Sequence, residues 1–231
     1  MYFAILVVHI ILGAIALLSG ATAIISKKGG KIHTRSGIVY YLSMYGIGLS
    51  AFIMTVMKFN PFLMSISIFS VYATYSGKKA IDNWRLKEAY VPTIKDKWPF
   101  YIALPTSLFM IGYPIFQMAT RGVFFVPVLT VFGIILLAGS IQDIKRYANP
   151  ANFQPRNKEW LIKHIGSMGG AYIATVTAFL VNNIRIEQWW IVWLSPTFVG
   201  VILIVTASNK WRRKLKMDVK PKRVAKQLTE Q

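Results

Sequence analysis

Three histidines and eight acidic residues are nearly all that this 231-residue chain offers for acid–base or metal chemistry, because it contains no cysteine. That composition removes disulfides, thiolate metal sites, iron–sulfur ligation and a thiol nucleophile. The histidines are His9, His33 and His164, and they separate by position. His9 falls about eight residues into an apolar run, roughly 10 Å deep at ~1.5 Å per residue. No Asp, Glu, Lys or Arg occupies a comparable depth in any other apolar run. An ionisable side chain in hydrocarbon is costly and is a functional candidate by default. Ser50, Ser67, Tyr113, Thr130, Thr177 and Ser195 sit at similar estimated depths. With His9 they could line a polar cavity; a single interhelical hydrogen bond is the plainer alternative. His9, Thr177, Asn182 and Ser195 are therefore the candidate ligand-binding set, the last three being the expected partners of the imidazole.

The other two histidines flank apolar runs at their basic ends. His33, His164 and Asp143 could form an open transition-metal site, since imidazole and carboxylate suit such ions. Two histidines could alternatively ligate one haem. The plainer expectation is that Asp82 and Asp143 pair with Lys79 and with Lys145 or Arg146, leaving His33 solvated. Nothing in the sequence requires a cofactor. The most unusual local segment runs from Lys27 to Gly37, KKGGKIHTRSG. Two glycines free its backbone, and Thr34 or Ser36 could cap the helix that follows. Its cations Lys27, Lys28, Lys31 and Arg35 suit a phosphate, from an anionic lipid headgroup or a soluble anion. A basic loop that merely sets topology is the alternative.

No HExxH, GxSxG or Walker A pattern occurs, so the usual hydrolase and nucleotide-binding signatures are missing. A retinal protein of this size needs a lysine within its last span, and residues 188–208 have none.

The elements that must position these residues are membrane helices. Hydrophobic residues make up 55% of the chain and charged residues 15%, against about a quarter charged in a soluble domain. Mean hydropathy is +0.47. Seven runs are long enough for a hydrocarbon core of about 30 Å, near residues 2–26, 37–57, 61–83, 99–118, 122–144, 162–184 and 188–208. The alternate segments Lys27–Arg35, Lys78–Lys97 and Lys145–Lys163, which take in the polar ends of the neighbouring runs, and the tail 209–231 hold 24 of the 27 Lys and Arg residues; Lys58, Arg121 and Arg185 are the other three. The positive-inside rule makes the basic loops cytoplasmic, so the net charge of +19 reflects topology and attraction to anionic lipid, not nucleic acid. The fold class is an all-α, polytopic seven-helix bundle with its N-terminus outside and its C-terminus in the cytoplasm. Trp84, Trp98, Trp160 and Trp211 mark the inner boundary, and Trp189, Trp190 and Trp193 the outer one. Gly13, Ala16, Gly20 and Ala23 in the first run, and Gly166, Gly170, Ala174 and Ala178 in the sixth, are expected to form small-residue faces for close helix approach. The basic tail, including Lys220, Lys222, Arg223 and Lys226, is expected to anchor to anionic lipid.

His9, Gly13, Gly20, Lys28-Gly29, His33 and Gly37, together with Tyr75-Ser76-Gly77, Ala80 and Gln142-Asp143, resemble a family of predicted bacterial membrane proteins. That family is catalogued as a domain of unknown function, number 2306. The resemblance implies a multi-pass protein of the bacterial cytoplasmic membrane and supplies no catalytic residue. Three functions are compatible with the sequence: non-enzymatic binding or transport of a small ligand or lipid, a metal- or haem-binding redox protein, or a structural subunit of a membrane complex.

Overall fold

The computed structural model describes residues 1–122 and 126–217 of the chain. Its described residues form seven α-helices and one short 3-10 turn, and no strand. They are α1 (Tyr2–Ile25), α2 (Lys31–Met57), α3 (Pro61–Trp84), α4 (Ile94–Arg121), α5 (Val126–Ala148), α6 (Glu159–Asn183) and α7 (Trp189–Lys214), with the 3-10 turn Pro150–Phe153 between α5 and α6.

Local chemistry explains several boundaries. Asn60 caps α3, its side-chain oxygen accepting from Leu63 N at 3.0 Å, and Pro61 fills the first helical position, where its missing N–H costs nothing. Thr93 and Asp96 form a reciprocal capping box at the start of α4. Gly122 ends α4 in the left-handed region at φ 61°, a conformation that glycine adopts without penalty. Gly30 caps α2, so that helix starts at Lys31. The run expected from residue 37 thus begins earlier, and Thr34 and Ser36 lie inside the helix instead of capping it. Ser36 donates to Ile32 O at 2.7 Å. Most of the other helices similarly extend a few residues beyond the apolar runs, because a helix continues into the polar interface wherever no breaker stops it.

Six of the seven helices are long and apolar enough to cross a membrane; α3 is the exception. Its sequence explains why: Ser65, Ser67, Ser70, Tyr72, Thr74, Tyr75 and Ser76 dilute the apolar residues. The packing explains how such a helix is tolerated. α3 packs against α2, α4, α5 and α6, and Ser65, Ser67, Thr74, Ser76 and Asn83 are all buried. Several of these hydroxyls bond backbone carbonyls, such as Ser67 to Gly48 O on α2 at 3.1 Å and Thr74 to Ser70 O at 2.8 Å. α1, at the opposite extreme, exposes Val8, Ile10, Ile11 and Leu18. The surface is largely aliphatic, and the interior mixes hydroxyls with apolar side chains, a layout that suits helices facing lipid.

Two apolar clusters hold the bundle together. The larger joins α3, α4, α5 and α6 through Phe69, Phe100, Met110, Phe132, Tyr147 and Trp160, among others. The smaller joins Ala16, Tyr40, Met44 and Ala171. Small residues let helices approach, but not at every expected position. Ala16 and Gly20 of α1 and Ala174 of α6 are buried. Space around Gly13, Gly166 and Gly170 is open, whereas Gly169 meets Ile204 of α7. The four-residue repeat on α6 therefore marks only part of its contact face, since α6 serves α1, α3 and α7 with different sides. Trp160 lies in the first turn of α6, inside the fold. It is 2% exposed and packs against Tyr147 and Phe153, because its indole N–H finds Asn152 O at 2.8 Å inside the fold.

Candidate functional site

Ionisable and polar side chains concentrate at the basic end of the bundle, where the α1–α2, α3–α4 and α5–α6 connections lie. Asp143, near the end of α5, is 1% exposed. Its Oδ2 accepts hydrogen bonds from Tyr72 OH at 2.7 Å and Ser76 Oγ at 2.8 Å, both on α3. Its Oδ1 faces Lys163 Nζ of α6 at 2.8 Å and Arg146 Nη1 at 3.5 Å. One carboxylate therefore ties three helices together: two hydroxyls donate hydrogen bonds to Oδ2, while Oδ1 meets its two cations as ion pairs without a hydrogen bond. A buried charge is tolerated only when opposite charge lies beside it.

The adjacent residue on each of two helices starts a second connection. Gly77, following Ser76, offers its carbonyl to His164 Nδ1 at 2.8 Å, and His164 follows Lys163. Gly77 has no room for a side chain: a Cβ there would lie 2.7 Å from Met168 Cγ and 3.0 Å from Met168 N. His164 meets His33 of α2 edge to face, with ring centroids 6.4 Å apart. His33 Nδ1 lies 2.9 Å from Ala23 O of α1. Carbonyl oxygens only accept, so both Nδ1 atoms carry hydrogen and donate. The polar belt also reaches α4. Asn83 donates to Tyr147 OH at 3.0 Å, Lys79 pairs with Asp96 at 2.8 Å, and Tyr90 OH donates to Asp96 at 2.6 Å. That last hydrogen bond, in the α3–α4 connection, raises the Tyr90 hydroxyl above its ordinary pKa.

The expected pairings of the two aspartates are thus partly corrected. Asp82 takes Lys78, four residues back on its own helix, instead of Lys79. Asp143 takes Arg146 as expected, but its closer cation is Lys163, which no spacing argument connects to it. The three-residue metal set does not assemble. His33 and His164 come together, while Asp143 is engaged elsewhere, and among the described residues no group of three His, Asp or Glu is placed to hold a metal.

The opposite end is sparse. His9 Nδ1 lies 2.9 Å from Ser50 Oγ on α2, and Ser50 donates its own hydrogen to Gly46 O at 2.7 Å. The imidazole therefore donates to a hydroxyl of another helix, as expected in kind, but the partner is neither Thr177, Asn182 nor Ser195. α1 and α2 are joined by a short loop and pack along their length, so the nearest hydroxyl at that depth comes from the next helix in sequence. Thr177 is buried and bonds Ile173 O at 2.9 Å; Asn182 is exposed and bonds Ala178 O at 2.7 Å; Ser195 is exposed. None of these four residues lines either of the two grooves described below.

The described grooves lie elsewhere, between α3 and α4. One of about 460 Å³ is lined by apolar side chains, among them Phe59, Met64, Ile68, Ile102 and Phe109, with Ser65 and Thr106 its small polar residues. The adjoining one, about 340 Å³, shares Phe59 and Pro61 and adds Asn60, Tyr113 and Gln117. Gln117 donates to Tyr113 OH at 3.1 Å.

The basic segment is exposed. Gly29, at φ 77°, turns the chain, and Lys28 Nζ caps the free carbonyls of Ala23 and Ile24 at the end of α1. Lys27, Lys31 and Arg35 are exposed. In the tail, α7 continues through Lys210 and Arg212, which pairs with Glu159 at 3.2 Å; Lys220, Lys222, Arg223 and Lys226 lie outside the described residues.

Fold and site together define an all-helical protein with six membrane-crossing helices by length and composition, compatible with a multi-pass membrane protein. No family model, no curated protein and no solved structure matches the chain.

Tyr72, Ser76 and Lys163 were not legible as site residues. A faint signal exists: Tyr72, Ser76 and Asn83 recur at four and seven positions on one side of a helix otherwise bound for lipid.

Proposed function

We propose that this chain is a non-enzymatic protein of the bacterial cytoplasmic membrane that binds a lipid or lipid-like small ligand between α3 and α4. The observation that carries this reading is the pair of adjoining grooves: an apolar one suited to an acyl chain, continuous at Phe59 and Pro61 with one bearing Asn60, Tyr113 and Gln117 for a polar group. Pockets for small molecules typically combine mostly apolar walls with a few polar groups in this way. Seven crossings, with the N-terminus outside and the C-terminus inside, are supported by the distribution of Lys and Arg. The surrounding helices shield α3, so its polarity does not argue against a crossing. Anionic lipid is the expected neighbour of Lys27, Lys28, Lys31 and Arg35.

The test is native mass spectrometry of the protein released from mild detergent. The wild type should retain lipid that Thr106→Trp, which fills the apolar groove, releases. Equal lipid retention by the two proteins, with equal melting temperatures, would defeat the proposal.

A further inference from the structure

We propose that the α3–α4 grooves take an isoprenoid quinone, its carbonyl-bearing ring beside Asn60 and Tyr113 and its apolar tail along the groove at Thr106. This inference rests on the lipid-binding reading above and names the head group of that lipid. The hydrogen-bonding groups of the polar groove carry it. Asn60 Oδ1 is already used, accepting from Leu63 N at 3.0 Å as the cap of α3, which leaves the two hydrogens of Asn60 Nδ2. Tyr113 OH accepts from Gln117 Nε2 at 3.1 Å, so the phenol hydrogen is left to donate elsewhere. Neither group has a further hydrogen-bond partner among the described residues. Gln117 adds one more N–H and the only spare carbonyl of the three side chains. The groove therefore offers mainly donors, and the matching ligand presents oxygen acceptors.

Charge narrows the class further. No Asp, Glu, Lys or Arg is among the described residues that line either groove. Lys58, next to Phe59, stands over the Tyr2 ring of α1 at 4.5 Å. A phosphate head group would lack the cation that such a group ordinarily meets. The acceptor is thus uncharged, as the carbonyls of a quinone are. The walls favour a flat conjugated ring over a glycerol ester. Phe109 of the apolar groove and Tyr113 of the polar one stack at 5.1 Å with 22° between their planes, and Phe59 lines both grooves. Aromatic rings attract one another beyond the area they bury. A tail has room as well. From Gln117 back to Tyr101, α4 covers about 24 Å at ~1.5 Å per residue, and Met64, Ile68 and Ile102 keep the far part apolar.

Full-length protein, delipidated in mild detergent, is titrated calorimetrically with decylubiquinone, a quinone with a short saturated tail. The expected result is one quinone per chain and no binding to Thr106→Trp. Tyr113→Phe and Asn60→Asp should each lower the affinity about threefold or more, the effect of losing a neutral hydrogen bond. Tyr113→Phe keeps the ring, and Asn60→Asp removes the N–H donors while keeping a side chain that caps α3. Both should melt with the wild type in the absence of quinone; if one melts lower, the other carries the comparison. Dioleoylglycerol, uncharged but without a conjugated ring, should not displace the quinone. No decylubiquinone binding by the wild type, equal affinity in the variants, or displacement by dioleoylglycerol at equal concentration would each overturn the proposal. If Thr106→Trp still releases lipid in native mass spectrometry, the lipid-binding reading then stands and only the quinone assignment falls.

Discussion

The two ends of the bundle handle ionisable groups in opposite ways. At one end His9 is held from a single neighbouring helix, α2, where its imidazole meets Ser50 Oγ. At the other, Asp143 is held by groups from α3, α5 and α6, and the next residue along α3 and along α6 extends the contact to His164, His33 and α1. A half-buried imidazole can be satisfied from one neighbouring helix. A buried carboxylate cannot be left with one partner, and the groups that satisfy it must come from several helices. The basic end is therefore where the bundle is locked, and the opposite end is where α3 and α4 part to form grooves.

Substitutions should break this contrast in a definite order. Asp143→Ala leaves Lys163 without its carboxylate inside the protein, and removing one member of a buried pair costs about 3–5 kcal/mol. The expected result is a large loss of stability in detergent unfolding, with Asp143→Leu/Lys163→Met recovering part of it. A loss below about 1 kcal/mol would place Asp143 among ordinary surface ion pairs. Gly77→Ala forces a methyl group onto Met168, and overpacking of this kind costs about 1–3 kcal/mol; a melting curve unchanged from wild type would deny the close approach. Tyr72→Phe removes one hydrogen bond to the carboxylate, worth about 1.5–3 kcal/mol for a charged partner, and should lower the unfolding midpoint less than Asp143→Ala does. Ser50→Ala should have the smallest effect, near the average of about 0.6 kcal/mol for a polar contact between membrane helices. An effect as large as that of Asp143→Ala would erase the distinction between the two ends.

The sequence made the helices legible and the contacts between them only partly so. Long apolar runs, Asn60-Pro61 and the Gly122 terminus locate elements, because a helix in lipid must satisfy its own backbone and announces itself locally. Helix starts at basic positions were harder: Lys31, Ile32 and His33 look like loop, yet nothing in them breaks a helix. The site depends on which faces meet. Asp143 was visible as a rare acid, and Arg146 lies three residues along the same helix. Lys163 comes from a different helix, and Tyr72 and Ser76 lie about seventy residues away. The His9 partner failed for the same reason: depth ranks candidates, but adjacency of α1 and α2 chooses Ser50. Polarity of α3 was legible as composition, while its central position was not.

Whether α3 crosses the membrane tests the seven-crossing account most directly, since a crossing places its two ends on opposite sides. The chain has no cysteine, so single cysteines report cleanly. Lys58→Cys, just before α3, and Lys87→Cys, just after it, are exposed to a membrane-impermeant maleimide on intact cells and again after the membrane is opened. Labelling of Lys58→Cys on intact cells, with Lys87→Cys reacting only after opening, is the predicted result. Labelling of both positions, or of neither, on intact cells while both react after opening would contradict it and leave α3 on one side of the membrane.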